Sequence, residues 1–170
     1  MDKFAKWLAG SAQENGICNE WHDRLSGCDD DQIDKMLIMY RKGIDFCMKH
    51  DWPSLDVVRE RFKGKMEHHG IHVDEECKIM NERFNVLLGH SDAAISFDQY
   101  NVGEIYIRHD STAEIAISDH AFVRLDVYDN AKVKINATGK AKITIKEHGN
   151  VSVDVVKSDD ACVKLNNIFI

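Results

Sequence analysis

A single proline in 170 residues, Pro53, excludes a proline-rich linker or polyproline repeat, and it sits in the front half of the chain. No CxxC pair occurs. The five cysteines, Cys18, Cys28, Cys47, Cys77 and Cys162, are odd in number and irregular in spacing, which fits reduced thiols better than a disulfide framework. Charge of one sign is nowhere concentrated: residues 1 to 80 carry 12 basic and 16 acidic side chains, and residues 81 to 170 carry 10 and 13. Neither half is a basic nucleic-acid-binding tail. No run approaches the roughly 20 apolar residues of a membrane span, and "MDKFAKWLAGSAQENG" lacks an apolar stretch of signal-peptide length. The expectation is a soluble cytoplasmic protein, free or associated with a virion, with no membrane partner. Phosphate-binding glycine loops, nucleophile elbows and HExxH motifs are missing as well.

What is present falls into two halves, and 44% hydrophobic residues suffice for one good core or two small ones. The front half has helical periodicity. "DKFAKWLAGSA" aligns Phe4, Trp7 and Leu8 at i, i+3, i+4, and "ICNEWHDRLSG" aligns Ile17, Trp21 and Leu25. "DDDQIDKMLIMYRKGIDFCMKH" opens with aspartates beside the positive end of a helix dipole and continues with a stripe of Ile33, Met36, Leu37, Tyr40, Ile44 and Cys47. "WPSLDVVRERFKGKMEHHG" begins with Pro53 in a first turn, ends at Gly70, and turns Val57, Val58, Phe62 and Met66 to its neighbours. Four helices are expected, followed by a short strand and turn at "GIHVDEE".

From residue 91 the chain stacks in rows of ten: "SDAAISFDQY", "NVGEIYIRHD", "STAEIAISDH", "AFVRLDVYDN", "AKVKINATGK", "AKITIKEHGN", "VSVDVVKSDD", "ACVKLNNIFI". The fifth column is Ile95, Ile105, Ile115, Leu125, Ile135, Ile145, Val155 and Leu165; the third is small or β-branched from Ala93 to Val163. Column four is polar or charged, so the pattern is the strict alternation of a strand with one buried and one wet face. Turn residues fill columns nine and ten. A repeat this regular marks a solenoid, whose units bury their apolar side only by stacking. An antiparallel meander covered by the helices is the competing arrangement. The expected class is therefore α+β: a helical cap domain over residues 1–76 and a right-handed β-solenoid of seven to eight ten-residue repeats over 77–170, two or three repeats to a coil.

The phrase "DNAKVKI", "GKAKITI", "GNVSVDV" resembles the short Asx/Gly-Asn-Ala-x-Val-x repeats of β-helical proteins from phages and gut bacteria. With "GIHVDEE" between helices and strands, the chain is similar to small β-helical repeat proteins of Bacteroidales phages and mobile elements. The resemblance implies a phage or mobile-element origin and brings no catalytic residue.

Three constellations invite a chemical reading. His68, His69 and His72 in "EHHGIH", with Cys18, His22, Cys28, Cys47 and His50, lack the close paired spacing of zinc sites and are read as buried thiols and surface imidazoles, with no metal and no cofactor. Asp110, Asp119, Asp129 and Asp159, flanked by His109 and His120, would form an acidic row if coils stack in register, as glycosidases or calcium sites require; Gly139 and Gly149 interrupt it, and backbone bonding within turns accounts for it. Lys132, Lys134, Lys140, Lys142 and Lys146 form a basic stretch, with Lys132, Lys134 and Lys142 expected on one face; with Phe122 and Tyr128 they are the candidate binding residues. Tyr106 is a further outward aromatic. No catalytic residue is assigned. The expected function is a non-enzymatic binding or assembly module that engages itself, as a homo-oligomer, or a protein partner through its strand faces and its "NIFI" tail. The alternatives are an inhibitor of a host defence system, holding a protein or nucleotide on the basic face, and a carbohydrate-active enzyme using turn aspartates.

Overall fold

A computed structural model describes residues 3–168, with side chains described through Asn166; the "NIFI" tail lies outside the described side chains. The chain divides into two compact units, the boundary falling between His69 and Gly70.

The first unit is helical: α1 (Phe4–Glu14), α2 (Asn19–Ser26), α3 (Ile33–Lys42), α4 (Ile44–His50) and α5 (Leu55–Val57), which runs on as a π-helical turn over Val58–Phe62, with a 3-10 turn at Glu67–His69. The long third helix expected from sequence breaks at Gly43, where a residue without a side chain is the weakest point of the run. Its stripe survives the break, since Met36, Leu37, Tyr40, Ile44 and Cys47 are all buried. The fourth helix is shorter than its pattern, and Pro53 lies before it rather than in its first turn, Ser54 being the N-cap. In α1 the buried stripe is Ala5, Leu8, Ala9 and Ala12, not the Phe4, Trp7 and Leu8 face, and Trp7 is 54% exposed. Three alanines there let another helix approach closely; the large rings stack on each other instead, Phe4 on Trp7 at 6.0 Å. Asp30 serves α1 rather than the helix that follows it, accepting the amide N–H groups of Phe4 at 3.1 Å and Ala5 at 2.9 Å, and these bonds, that to Ala5 first, hold its carboxyl below the ordinary value. Among the described residues no helix is long and apolar enough to cross a membrane.

The second unit is a β-solenoid. Its strands are β1 (Ile71–Val73), β2 (Glu76–Met80), β3 (Phe84–Leu88), β4 (Asp92–Phe97), β5 (Val102–Ile107), β6 (Thr112–Ile117), β7 (Phe122–Tyr128), β8 (Lys132–Ala137), β9 (Lys142–His148), β10 (Ser152–Lys157) and β11 (Cys162–Ile168). All pairing is parallel, which removes the meander, and each strand bonds the next but one: β1-β3-β5-β7-β9-β11 form one sheet and β2-β4-β6-β8-β10 the other. Two ten-residue units thus make one coil, and from β3 onward every pair is offset by 20 residues, as in Ile95↔Ile115↔Ile135↔Val155. The first coil is shorter, with Ile71↔Val86 and Glu76↔Asp92.

The core lies between the sheets and is filled by columns one, three, five and seven, in continuous ladders such as Ile105, Leu125 and Ile145 at 0% exposure. Column seven, Phe97, Ile107, Ile117, Val127 and Ala137, is as deeply buried as column five. Size is matched across the core: a Cβ on Gly103 would meet the Phe97 ring at 2.2 Å, so this glycine is the space that the one large core ring occupies. In the last coil the columns open, with Val155 at 36% and Leu165 at 52% exposure.

Candidate functional site

The turns settle first what the column-nine residues do. Gln99, His109, Asp119, Asp129, Gly139, Gly149 and Asp159 all have positive φ, between 54° and 91°. Glycine tolerates that conformation freely and Asp and Asn better than most, which is why they share the column. Each aspartate of the column bonds the turn one coil earlier: a carboxylate oxygen of Asp119 accepts the Gln99 N–H at 2.9 Å, Asp129 that of His109 at 3.1 Å, and Asp159 that of Gly139 at 3.0 Å. Asp129 also pairs with Arg108 at 2.8 Å. The acidic row expected from sequence is divided, because alternate turns lie at opposite edges of a two-strand coil: Asp110 and Asp129 follow odd strands, Asp119 and Asp159 even ones. Asp119, Asp129 and Asp159 hold backbone amides across coils, and Asp110 accepts the side-chain amide of Asn130 at 3.2 Å.

The same alternation divides the lysines. Lys132 and Lys134 point outward from β8 in the even-numbered sheet; Lys142 and Lys146 point outward from β9 in the odd-numbered sheet; Lys140 is in a turn. Lys132, Lys134 and Lys142 therefore do not share a face, contrary to the ten-residue reading, and Phe122 and Tyr128 belong to the sheet of Lys142.

On the outer face of the odd-numbered sheet stands a polar cluster that no ten-residue spacing groups. Asp126 is only 5% exposed, and its carboxylate lies 3.0 Å from His148 Nε2 and 3.5 Å from Arg124 Nε. Tyr128 covers the imidazole in a parallel stack, centroids 4.1 Å apart. Arg124 bonds the Tyr106 hydroxyl, which also lies 3.4 Å from Glu104, and Tyr106 is 1% exposed. Burial disfavours the Arg124 charge, but Tyr106, Asp126 and Glu104 outweigh it and raise its pKa. These residues meet because they lie two apart on one strand, or 18, 20 or 22 apart on paired strands of neighbouring coils. The arrangement links the hydrogen bonds at Tyr106 and at His148 through the Arg124–Asp126 ion pair, whose Nε and Oδ2 atoms are 3.5 Å apart.

The outer face of the even-numbered sheet is its opposite. A shallow trough of ≈ 900 Å³ runs across all five strands, floored by Ala94, Ser96 and Ala116 and edged by charged and larger side chains. Met80 and Val156, 70% and 68% exposed, stand at its two ends. The ion pair on it, Lys134 to Glu114 at 3.7 Å, is loose and exposed.

Among the described residues, two mixed-donor clusters stand apart from these faces. In the helical unit, both His68 and His69 reach Asp34 Oδ1 through Nε2 at 2.9 Å. In the solenoid's first coil, His72, Glu75 and Cys77 bring one donor atom each within 4.8 Å of one another. The sequence singled out the three histidines, but their acidic and thiol partners come from a distant helix or from the next strand.

Comparison of the chain with protein-family models, with curated proteins and with solved structures finds no match.

Proposed function

We propose that this chain is a non-enzymatic assembly module that pairs with a second copy of itself through the outer face of its even-numbered sheet. The observation that carries the reading is the self-complementarity of that face. Across β2, β4, β6, β8 and β10 the outward side chains form three files in exact coil register: Glu76, Asp92, Thr112, Lys132, Ser152; then Lys78, Ala94, Glu114, Lys134, Asp154; then Met80, Ser96, Ala116, Asn136, Val156.

A two-fold axis along β6, lying in the interface, reverses the order of coils while keeping each file opposite itself. Lys78 then meets Asp154 of the second copy, Asp92 meets Lys132, Met80 meets Val156, and the small Ala116 faces itself on the axis. The two Glu114 carboxylates approach there, each with its own Lys134 at 3.7 Å. The other way to pair the face, with the axis along the solenoid, sets Lys78, Glu114, Lys134 and Asp154 each against its own copy. Like charges in contact select against it. Five strands at about 4.8 Å spacing and about 20 Å length give a patch of roughly 500 Å² per copy. That is at the small end for specific pairs, so the association is weak and reversible.

Sedimentation of the purified chain against its 19.4 kDa monomer mass tests this. The expected result is a dimer whose population rises with concentration through the micromolar range, and a monomer for Ala116→Arg, an exposed substitution that leaves the core untouched. A monomer at every concentration, or a dimer indifferent to Ala116→Arg, overturns the proposal.

A further inference from the structure

The short first coil of the solenoid gathers three different donor atoms. Elsewhere three or four residues separate consecutive strands; between β1 and β2 there are two, Asp74 and Glu75, and Asp74 makes the reversal with φ 50°. His72 and Cys77 fall on core-facing positions, in register with Leu87 and Ala93. The tight turn brings Glu75 between them, so that imidazole, carboxylate and thiol all lie within 4.8 Å of one another, with His72 Nδ1 in hydrogen-bond contact with Glu75. Their burial is intermediate, with the His72 side chain 13% exposed and that of Glu75 32%. A histidine, a glutamate and a cysteine are poor material for closing a hydrophobic stack, and the ladder above them is otherwise Ala, Ile, Leu and Val.

We propose that His72, Glu75 and Cys77 form a zinc site, with the three side chains as ligands and water in the fourth position. The donor set decides the class of ion. Nitrogen and sulfur beside a single carboxylate suit zinc, whereas calcium and magnesium take oxygen ligands throughout. Three protein ligands leave one tetrahedral position open, the pattern of zinc sites that keep an exchangeable water. As the sulfur–zinc bond forms, the thiol proton leaves to solvent and the Glu75 contact to His72 Nδ1 gives way to coordination. The second cluster, Asp34 with His68 and His69, has no thiol and stands more open to solvent, with Asp34 71% and His68 63% exposed.

Cobalt(II) titration of the full chain, followed by its thiolate-to-cobalt absorption band and by back-titration with zinc, tests the site. The expected result is a band that saturates at one cobalt per chain, is displaced by zinc, disappears in Cys77→Ser and needs at least tenfold more cobalt in Glu75→Gln. Circular dichroism of both variants checks that the solenoid remains folded, and Glu75→Gln keeps the side-chain volume. A band that survives in Cys77→Ser, pointing to exposed Cys18 or Cys162, overturns the proposal. So does cobalt binding without a thiolate band, or binding lost on His68→Ala instead.

Discussion

The odd-numbered sheet of the solenoid carries Tyr106, Arg124, Asp126 and His148 on its outer face, bonded to one another and largely buried. At the matching positions the even-numbered sheet carries Ala94, Ser96, Glu114, Ala116 and Asn136, mostly exposed. Both faces stand on the same backbone and the same core columns. The inward positions are therefore fixed by the need to stack, and the outward ones are where the two sheets are free to diverge. One face spends its side chains on internal order; the other keeps them small and loosely paired, which suits a surface meant to meet another.

If the divergence is confined to outward positions, core truncations in the two sheets must cost alike. Leu125→Ala and Ile115→Ala each remove a side chain at 0% or 2% exposure, and each should lower stability by about 2–5 kcal/mol in chemical denaturation, with the two values agreeing within about 1 kcal/mol. A large gap between them would mean that the sheets differ in the core as well. The outward positions should then separate. His148→Ala strips a hydrogen-bond partner from the buried Asp126 carboxylate and should cost about 2–3 kcal/mol. Glu114→Ala breaks only an exposed 3.7 Å pair and should cost about 0–1 kcal/mol. Equal costs would remove the distinction between an ordered face and an open one.

Strands, turns and core columns were legible in the sequence because each depends on a residue's own type and its parity in the repeat. Rows of ten show both directly. Which strands are neighbours depends on how many units close a coil, and a period of ten is silent about a coil of 20. That single unknown scattered the lysines: Lys132 and Lys134 lie one row of ten before Lys142, and in the molecule they are on the opposite sheet. It hid the Asp126 cluster for the same reason, since Arg124 reaches Tyr106 and Asp126 reaches His148 only across a full coil, 18 and 22 residues along the chain. Asp119 and Gly139 shared a column in the sequence, and the positive φ at that column explains why so different a pair can occupy it. In the helical unit, α1 misled because alanine carries little hydrophobic signal; its stripe of Ala5, Ala9 and Ala12 packs by being small, while Trp7, the louder residue, faces outward.

The finest test of the difference between the faces is a charge exchange within the even-numbered sheet. Lys78 and Asp154 are four coils' steps apart on one file and cannot touch within a single chain, yet the proposed two-fold brings each against the other copy's partner, twice per dimer. Lys78→Asp should therefore weaken dimerisation about tenfold, equivalent to about 1.4 kcal/mol, with no change in the unfolding midpoint of the monomer. Asp154→Lys should do the same, and the double exchange Lys78→Asp with Asp154→Lys should restore the original affinity, because the pair is re-formed with its signs swapped. Lys164→Asp, at the corresponding file of the odd-numbered sheet, should leave dimerisation unchanged. Restoration in the double variant is the decisive outcome: a general effect of net charge would make two opposite changes cancel for any pair of sites, so the control is Lys164→Asp combined with Asp154→Lys, which has the same net charge and should not recover.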